Sequence, residues 1–149
     1  MADTDLVKLY SGRILELAAD IPHVGRLEAP GGTAKRRSPL CGSTVTVDLD
    51  LDETGRVARF AQDVKACALG QAAASVLGRV VLGQSRATIE RARDQLHAML
   101  KEGAPPPEAP FDGLKVLSPA RDFKNRHASI MLAVEATLDA MREAESRVA

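Results

Sequence analysis

Two cysteines, Cys41 and Cys67, carry the most distinctive chemistry in this 149-residue chain. Cys41 lies between Pro39 and Gly42, and that composition predicts an irregular loop tip. Cys67 directly precedes an alanine-rich segment that predicts a helix, so its thiol would lie at the positive end of the helix dipole. That position and the nearby Lys65 favour the thiolate, which is the form that binds metals and attacks sulfur.

The elements predicted around the cysteines would bring the two thiols together. Residues 43–51 alternate apolar and polar side chains, which predicts a strand with one buried and one wet face. The predicted buried face carries Val45, Val47, Leu49 and Leu51, and the wet face carries Thr44, Thr46, Asp48 and Asp50. Residues 56–65 predict the return strand of a hairpin. In such a hairpin Cys41 and Cys67 meet at one end of the sheet, whereas a lone cysteine would more often be a small buried hydrophobe.

His127 is the third candidate ligand, and it follows a basic segment, residues 121–126. The commoner interpretation is a surface histidine on the first turns of a helix. His23 and His97 lack supporting context, and His97 is expected on an exposed helix face. The basic segment is by default a solvated face, although it could lower thiol pKa values or dock an acidic partner.

The remaining segments predict one domain, residues 1–149, of the α+β class. The predicted helices cover residues 6–17, 68–82, 85–102 and 118–146, and residues 33–37 predict an edge strand. Ser118-Pro119 marks the start of the last helix, because proline suits the first helical position. Gly70, Ser75 and Gly78 would let a neighbour approach the second helix closely. The expected architecture is a small antiparallel sheet of about three strands packed against helices.

Composition excludes several classes of function. Lys+Arg and Asp+Glu both number 20, so the chain lacks the basic excess of a nucleic-acid binder. Aromatic residues make up 3%, which leaves little for base stacking. No apolar run approaches the ~20 residues of a membrane span, and the first residues lack the features of a signal peptide. We therefore expect a cytoplasmic protein with free thiols or metal-ligating cysteines.

Four short segments resemble those of one known family. They are Ile21-Pro22-His23-Val24-Gly25, Leu40-Cys41-Gly42, residues 66–75 with Cys67 and the small-residue segment behind it, and His127-Ala128-Ser129-Ile130. Over nearly its whole length the chain resembles the IscU/NifU-like iron–sulfur cluster scaffold family. In that family, cysteines, an aspartate and sometimes the histidine hold a nascent cluster or a zinc ion. A cysteine desulfurase delivers the sulfur, and acceptor proteins receive the cluster.

The resemblance implies a scaffold or carrier that is not itself an enzyme. Cys41 and Cys67, assisted by His127, would bind an iron–sulfur cluster such as 2Fe-2S, or zinc in the resting protein. Two departures matter, since Ser43 stands where the family has aspartate and Ala128 where it has a third cysteine. An alignment with the family that is anchored on residues 119–121 would instead place Lys124 at the position of the third cysteine.

A full site needs about four ligands, so one chain cannot supply a complete set of thiolates. Water, a partner ligand or a small thiol would complete the site, or two subunits of a homodimer would each contribute Cys41 and Cys67.

Three alternatives stay open at the level of sequence. One is a zinc protein that uses Cys41, Cys67, His127 and a further ligand. Another is a metal-free degenerate paralogue that acts as a partner-binding module. The third is a sulfur carrier that accepts a persulfide on Cys67, with His127 as its base.

Overall fold

The computed structural model describes residues 10–148. In chain order the elements are α1 (Gly12–Ala19), β1 (Gly32–Arg37), β2 (Thr44–Leu51), β3 (Val57–Lys65), α2 (Ala68–Val80), α3 (Arg86–Glu102) and α4 (His127–Val148). Two 3₁₀ helices, Asp112–Asp122 and Lys124–Arg126, connect α3 to α4. The strands form an antiparallel sheet in the order β1-β2-β3. The predicted α+β class is therefore confirmed, while residues 6–9 of the predicted first helix lie outside the described residues.

The register of the sheet determines where the cysteines lie. Thr44 at the start of β2 pairs with Arg37 at the end of β1 and with Lys65 at the end of β3. The loop of residues 38–43 and the connection to α2 consequently leave the sheet at the same end. Cys41 belongs to that loop and Cys67 to that connection, as the hairpin argument predicted.

The core is built around α4. Val45, Val47 and Leu49 on the inner face of β2 are fully buried, and both β1 and β2 pack on α4. Helices α2 and α3 also pack on α4. Because α4 has neighbours on several sides, five consecutive residues, 130–134, are all buried in it. None of the helices within residues 10–148 is long and apolar enough to cross a membrane.

The predicted start of the last helix, at Ser118-Pro119, is wrong. The α-helix begins at His127, and residues 112–122 form a 3₁₀ helix instead. The reason lies in the spacing of the buried side chains, since Leu114, Leu117 and Ala120 recur every third residue. That period matches the three residues per turn of a 3₁₀ helix, so one face of it packs on the core.

The prediction that Asp48 lies on a wet face is also wrong, because its side chain has no exposed surface. A chain segment crosses the outer face of β2 and covers it. Arg26 donates two hydrogen bonds to the Asp48 carboxylate, at 2.6 and 3.1 Å. The Leu27 amide donates at 3.0 Å and the Thr33 hydroxyl at 2.6 Å. Burial alone would raise the pKa of Asp48, but these bonds outweigh it and hold the pKa below its ordinary value.

We expect the Asp48→Asn variant to lose about 2–3 kcal/mol of stability at neutral pH, because four donors lose an ionised acceptor. A depressed folded pKa contributes stability above the ordinary aspartate pKa, and this contribution is lost as the pH falls through the folded value. The difference between wild type and variant should therefore shrink in acid. Urea unfolding at pH 7 and at about pH 3 measures it. Asp63→Asn on β3 is the control, and equal midpoints for Asp48→Asn and wild type at pH 7 would contradict the expectation.

Candidate functional site

Cys41 occupies a tight loop that closes on itself. The Ser38 amide donates to the Ser43 carbonyl at 2.8 Å, and the Gly42 amide donates to the Ser38 carbonyl at 2.9 Å. Gly42 has a φ of 72°, a backbone conformation that favours glycine. The Cys41 side chain is exposed, yet its sulfur lies 3.3 Å from Ser38 Oγ and 3.0 Å from Ser43 Oγ. An accessible thiol is thus held by two buried hydroxyls.

These hydroxyls change the acidity of the thiol. Hydrogen bonding with Ser38, and next with Ser43, lowers the pKa of Cys41 to about 7, although burial acts in the opposite direction. Smaller contributions come from the Ser43 amide and the Ser129 hydroxyl. A serine proton rotates freely, so it can turn toward the sulfur when the thiol ionises. Near neutral pH Cys41 is therefore divided between thiol and thiolate.

Cys67 is the residue that precedes the first turn of α2. Its place at a helix N-terminus is confirmed, but its side chain makes no capping hydrogen bond. The sulfur lies instead 3.5 Å from Ser129 Oγ in the first turn of α4. Gly70 permits this approach, because a Cβ atom there would lie 2.6 Å from Ser129 Oγ. The close approach predicted at Gly70 is thus confirmed.

Two buried serines connect the cysteines. Ser129 Oγ donates to Ser43 Oγ at 3.3 Å, so hydrogen bonds run from one sulfur to the other through both hydroxyls. We refer to Ser38, Cys41, Ser43, Cys67 and Ser129 as the thiol–serine cluster. The sequence singled out Ser43 only as a replacement for aspartate, included Ser129 only within a family-like segment, and did not identify Ser38. The signal in the sequence was a serine within three residues of Cys41 on either side and a serine two residues after His127.

His127 is 2% exposed, so its interpretation as a surface residue is wrong. Its Nε2 lies 2.9 Å from the Ala120 carbonyl and 3.1 Å from the Arg121 carbonyl. Carbonyls only accept, so Nε2 carries the proton and ties the 3₁₀ segment to the start of α4. Nδ1 is buried and has no hydrogen-bond partner among the described residues. The ligand role of His127 stays a prediction. His97, in contrast, is exposed as expected.

The donor set determines which ions the cluster could hold. Two thiols are soft ligands suited to iron–sulfur clusters, zinc and copper(I), and the neighbouring side-chain donors of the cluster are neutral hydroxyls. Within residues 10–148, no group of three or more His, Cys, Asp or Glu side chains is arranged to hold a metal ion. One chain therefore supplies two thiols toward the about four ligands that an iron–sulfur cluster needs.

The comparisons with known proteins identify the family of the chain. The family model described as the NifU-like N terminal domain matches residues 9–114, which include both cysteines. The chain belongs to the NifU-like N-terminal domain family. It is similar to the solved structure of the N-terminal part of a nitrogen-fixing NifU-like protein from Brucella abortus. Identity is 44%, coverage is 96% of this chain and 99% of that one, and the TM-score is 0.92.

A second solved structure shows the same NifU-like fold at low identity. It comes from the thermophile Fervidobacterium islandicum AW-1 and is described as an iron–sulfur cluster assembly scaffold protein for the SUF system. Identity is 16% over 91% of this chain and 98% of that chain, with a TM-score of 0.81. No curated protein sequence matches the chain. Ser129 and His127 lie beyond the residues that the family model matches.

The acidity of Cys41 can be measured by alkylation. In the Cys67→Ala variant, Cys41 is the only thiol, and its reaction rate with iodoacetamide should rise with pH around a midpoint of about 7. The reason is that the thiolate is the reactive form. Adding Ser38→Ala to this variant should move the midpoint upward, toward the pKa of ~8.5 that a free cysteine has. A midpoint near that ordinary value with Ser38 intact would contradict the assigned hydrogen bonds.

Proposed function

We propose that this chain is an iron–sulfur cluster assembly protein, a scaffold or carrier that receives iron and sulfur at Cys41 and Cys67. The observation that carries the proposal is the thiol–serine cluster, which gathers both thiols of the chain at one end of the sheet. Membership of the NifU-like family supports it, as does the description of the Fervidobacterium protein with the same fold.

The surroundings of Cys41 suit delivery by another protein. Cys41 is exposed at the loop surface, and the adjacent Leu40 is 72% exposed. The partners that the function requires are a cysteine desulfurase that supplies sulfur and acceptor proteins that take the finished cluster. In this proposal the chain binds and transfers its cargo and is not itself an enzyme.

The number of ligands favours a shared cluster. A [2Fe–2S] cluster needs about four protein or thiol ligands, and one chain supplies Cys41 and Cys67. Two copies that face each other through these cysteines would complete the set. Within one chain, His127 would have to contribute through Nδ1, because Nε2 is occupied by two carbonyls. Zinc in the resting protein would face the same shortage of ligands.

Anaerobic reconstitution of the wild-type chain tests the proposal. With iron, sulfide and reductant we expect sulfur-to-iron charge-transfer absorption and matched amounts of bound iron and acid-labile sulfide. One iron and one sulfide per chain, in a particle of twice the monomer mass, would support a bridged [2Fe–2S] cluster. A protein that stays colourless and iron-free under these conditions would contradict the proposal. Elemental analysis before reconstitution shows whether zinc occupies the resting protein.

Persulfide acceptance is the second candidate function, and the exposure of Cys41 favours that residue over Cys67. The Cys41 thiolate would attack the outer sulfur of a donor persulfide, forming a new S–S bond. The donor's S–S bond breaks, and the donor leaves as a thiolate. After treatment with a persulfide donor, mass spectrometry should show one added sulfur atom in Cys67→Ala and none in Cys41→Ala. The opposite pattern would assign the role to Cys67.

A further inference from the structure

The hydrogen bonds of the thiol–serine cluster run in one direction. Each thiol and each hydroxyl carries a single proton. Ser129 gives its proton to Ser43, and Cys41 gives its proton to Ser38. The two remaining contacts are then determined, since Ser43 must donate to Cys41 and Cys67 must donate to Ser129. With Cys41 as a thiol, four of the five protons, all but that of Ser38, thus have a defined acceptor within the cluster.

The two central serines come from different parts of the fold. Ser43 immediately precedes β2, and Ser129 lies in the first turn of α4. Their exposures are 6% and 1%, so packing holds both side chains in place. The thiols have less support, because Cys41 lies on an exposed loop and Cys67 at a helix terminus. A cysteine side chain has three staggered rotamers, and hydrogen bonds to fixed hydroxyls select among them.

We propose that Ser43 and Ser129 are positioning residues, which hold the sulfur atoms of Cys41 and Cys67 at one end of the sheet so that both reach the same bound ion or cluster. This inference rests on the proposed function, because it assumes that the two thiols act on one ligand. The serines are not ligands themselves, since neutral hydroxyls bind soft ions weakly. They hydrogen-bond the ligating sulfurs and so orient them.

Cobalt(II) is a suitable probe, because thiolate-to-cobalt charge-transfer absorption reports how many sulfurs bind the ion. We expect Ser43→Ala and Ser129→Ala each to weaken Co²⁺ binding about tenfold, as loss of such supporting hydrogen bonds commonly does. The absorption at saturation should fall toward the value of a single thiolate. Ser43→Thr, which keeps the hydroxyl, should restore both quantities.

Ser75→Ala is the matched control. Ser75 is fully buried like the two serines, but its hydroxyl donates to the Asp20 carbonyl and belongs to α2. Its removal tests the general effect of losing a buried hydroxyl, and it should leave Co²⁺ affinity and absorption unchanged. Urea unfolding of each variant confirms that the protein is folded in the titration.

The outcomes separate this inference from the proposed function. Wild-type affinity and intensity in both alanine variants would overturn the positioning role and leave the proposed function standing. An equal loss in Ser75→Ala would overturn it as well, since the effect would then be general. Absence of a thiolate charge-transfer band in the wild type would overturn the proposed function, and the positioning role with it.

Discussion

Replacement of either Cys41 or Cys67 by alanine is expected to abolish the stable iron–sulfur chromophore. Each chain supplies only these two thiols, so a cluster shared by two copies would fall from four thiolate ligands to two. The nearby hydroxyls of Ser38, Ser43 and Ser129 cannot replace a soft ligand. Bound iron and acid-labile sulfide after anaerobic reconstitution and desalting should drop to background in both variants.

The cysteine variants need a control for folding. Cys41 is exposed, so its truncation removes little packing. Cys67 is half-buried beside the core, and Cys67→Ser preserves its shape better than alanine. We expect Cys67→Ser to unfold close to the wild type and still to lose the cluster. Full colour and iron content in either alanine variant would show that the cluster binds elsewhere.

Gly32→Ala should cause the largest loss of stability. Gly32 opens β1 where that strand crosses α4, and a Cβ atom there would lie 2.1 Å from the Ala140 carbonyl oxygen. It would also lie 2.8 Å from the Ala144 amide nitrogen and 3.0 Å from Ala144 Cβ. The Ala140 oxygen and the Ala144 nitrogen are backbone atoms of a buried helix, and they cannot move away from the added Cβ as the end of a flexible side chain could. The strand and helix must therefore separate, at a cost of about 3 kcal/mol or more.

Thermal unfolding measures this effect. For a chain of this size, such a loss lowers the midpoint by roughly 10 °C. Gly12→Ala is the matched control, because nothing lies within 4 Å of its added Cβ and it belongs to helix α1. We expect that variant to be neutral or slightly stabilised, since alanine is the better helix former. A Gly32→Ala protein as stable as Gly12→Ala would show that β1 and α4 do not pack as described.

Local patterns in the sequence were enough to predict the strands that position the two cysteines. The alternation in residues 43–51 predicted β2, and the return strand followed from the turn after it. Antiparallel pairing then places the residues before β2 and after β3 at the same end, so the meeting of Cys41 and Cys67 needed no further information. Gly70 likewise predicted a close contact, because small residues on a buried helix let a neighbouring segment pack closely against it.

The atoms that hold the thiols depended on contacts between segments distant in the chain. Ser43 and Ser129 are 86 residues apart, and no local pattern pairs them. Asp48 lies on the polar side of its strand, yet a separate segment covers it. His127 follows a basic run but turns inward to two carbonyls. The sequence by itself determined the sheet, the family resemblance and the pair of cysteines, because periodicity and strand pairing are local. Only the tertiary structure decided the serine bridge and the burial of Asp48 and His127, because packing of remote segments sets which polar groups meet.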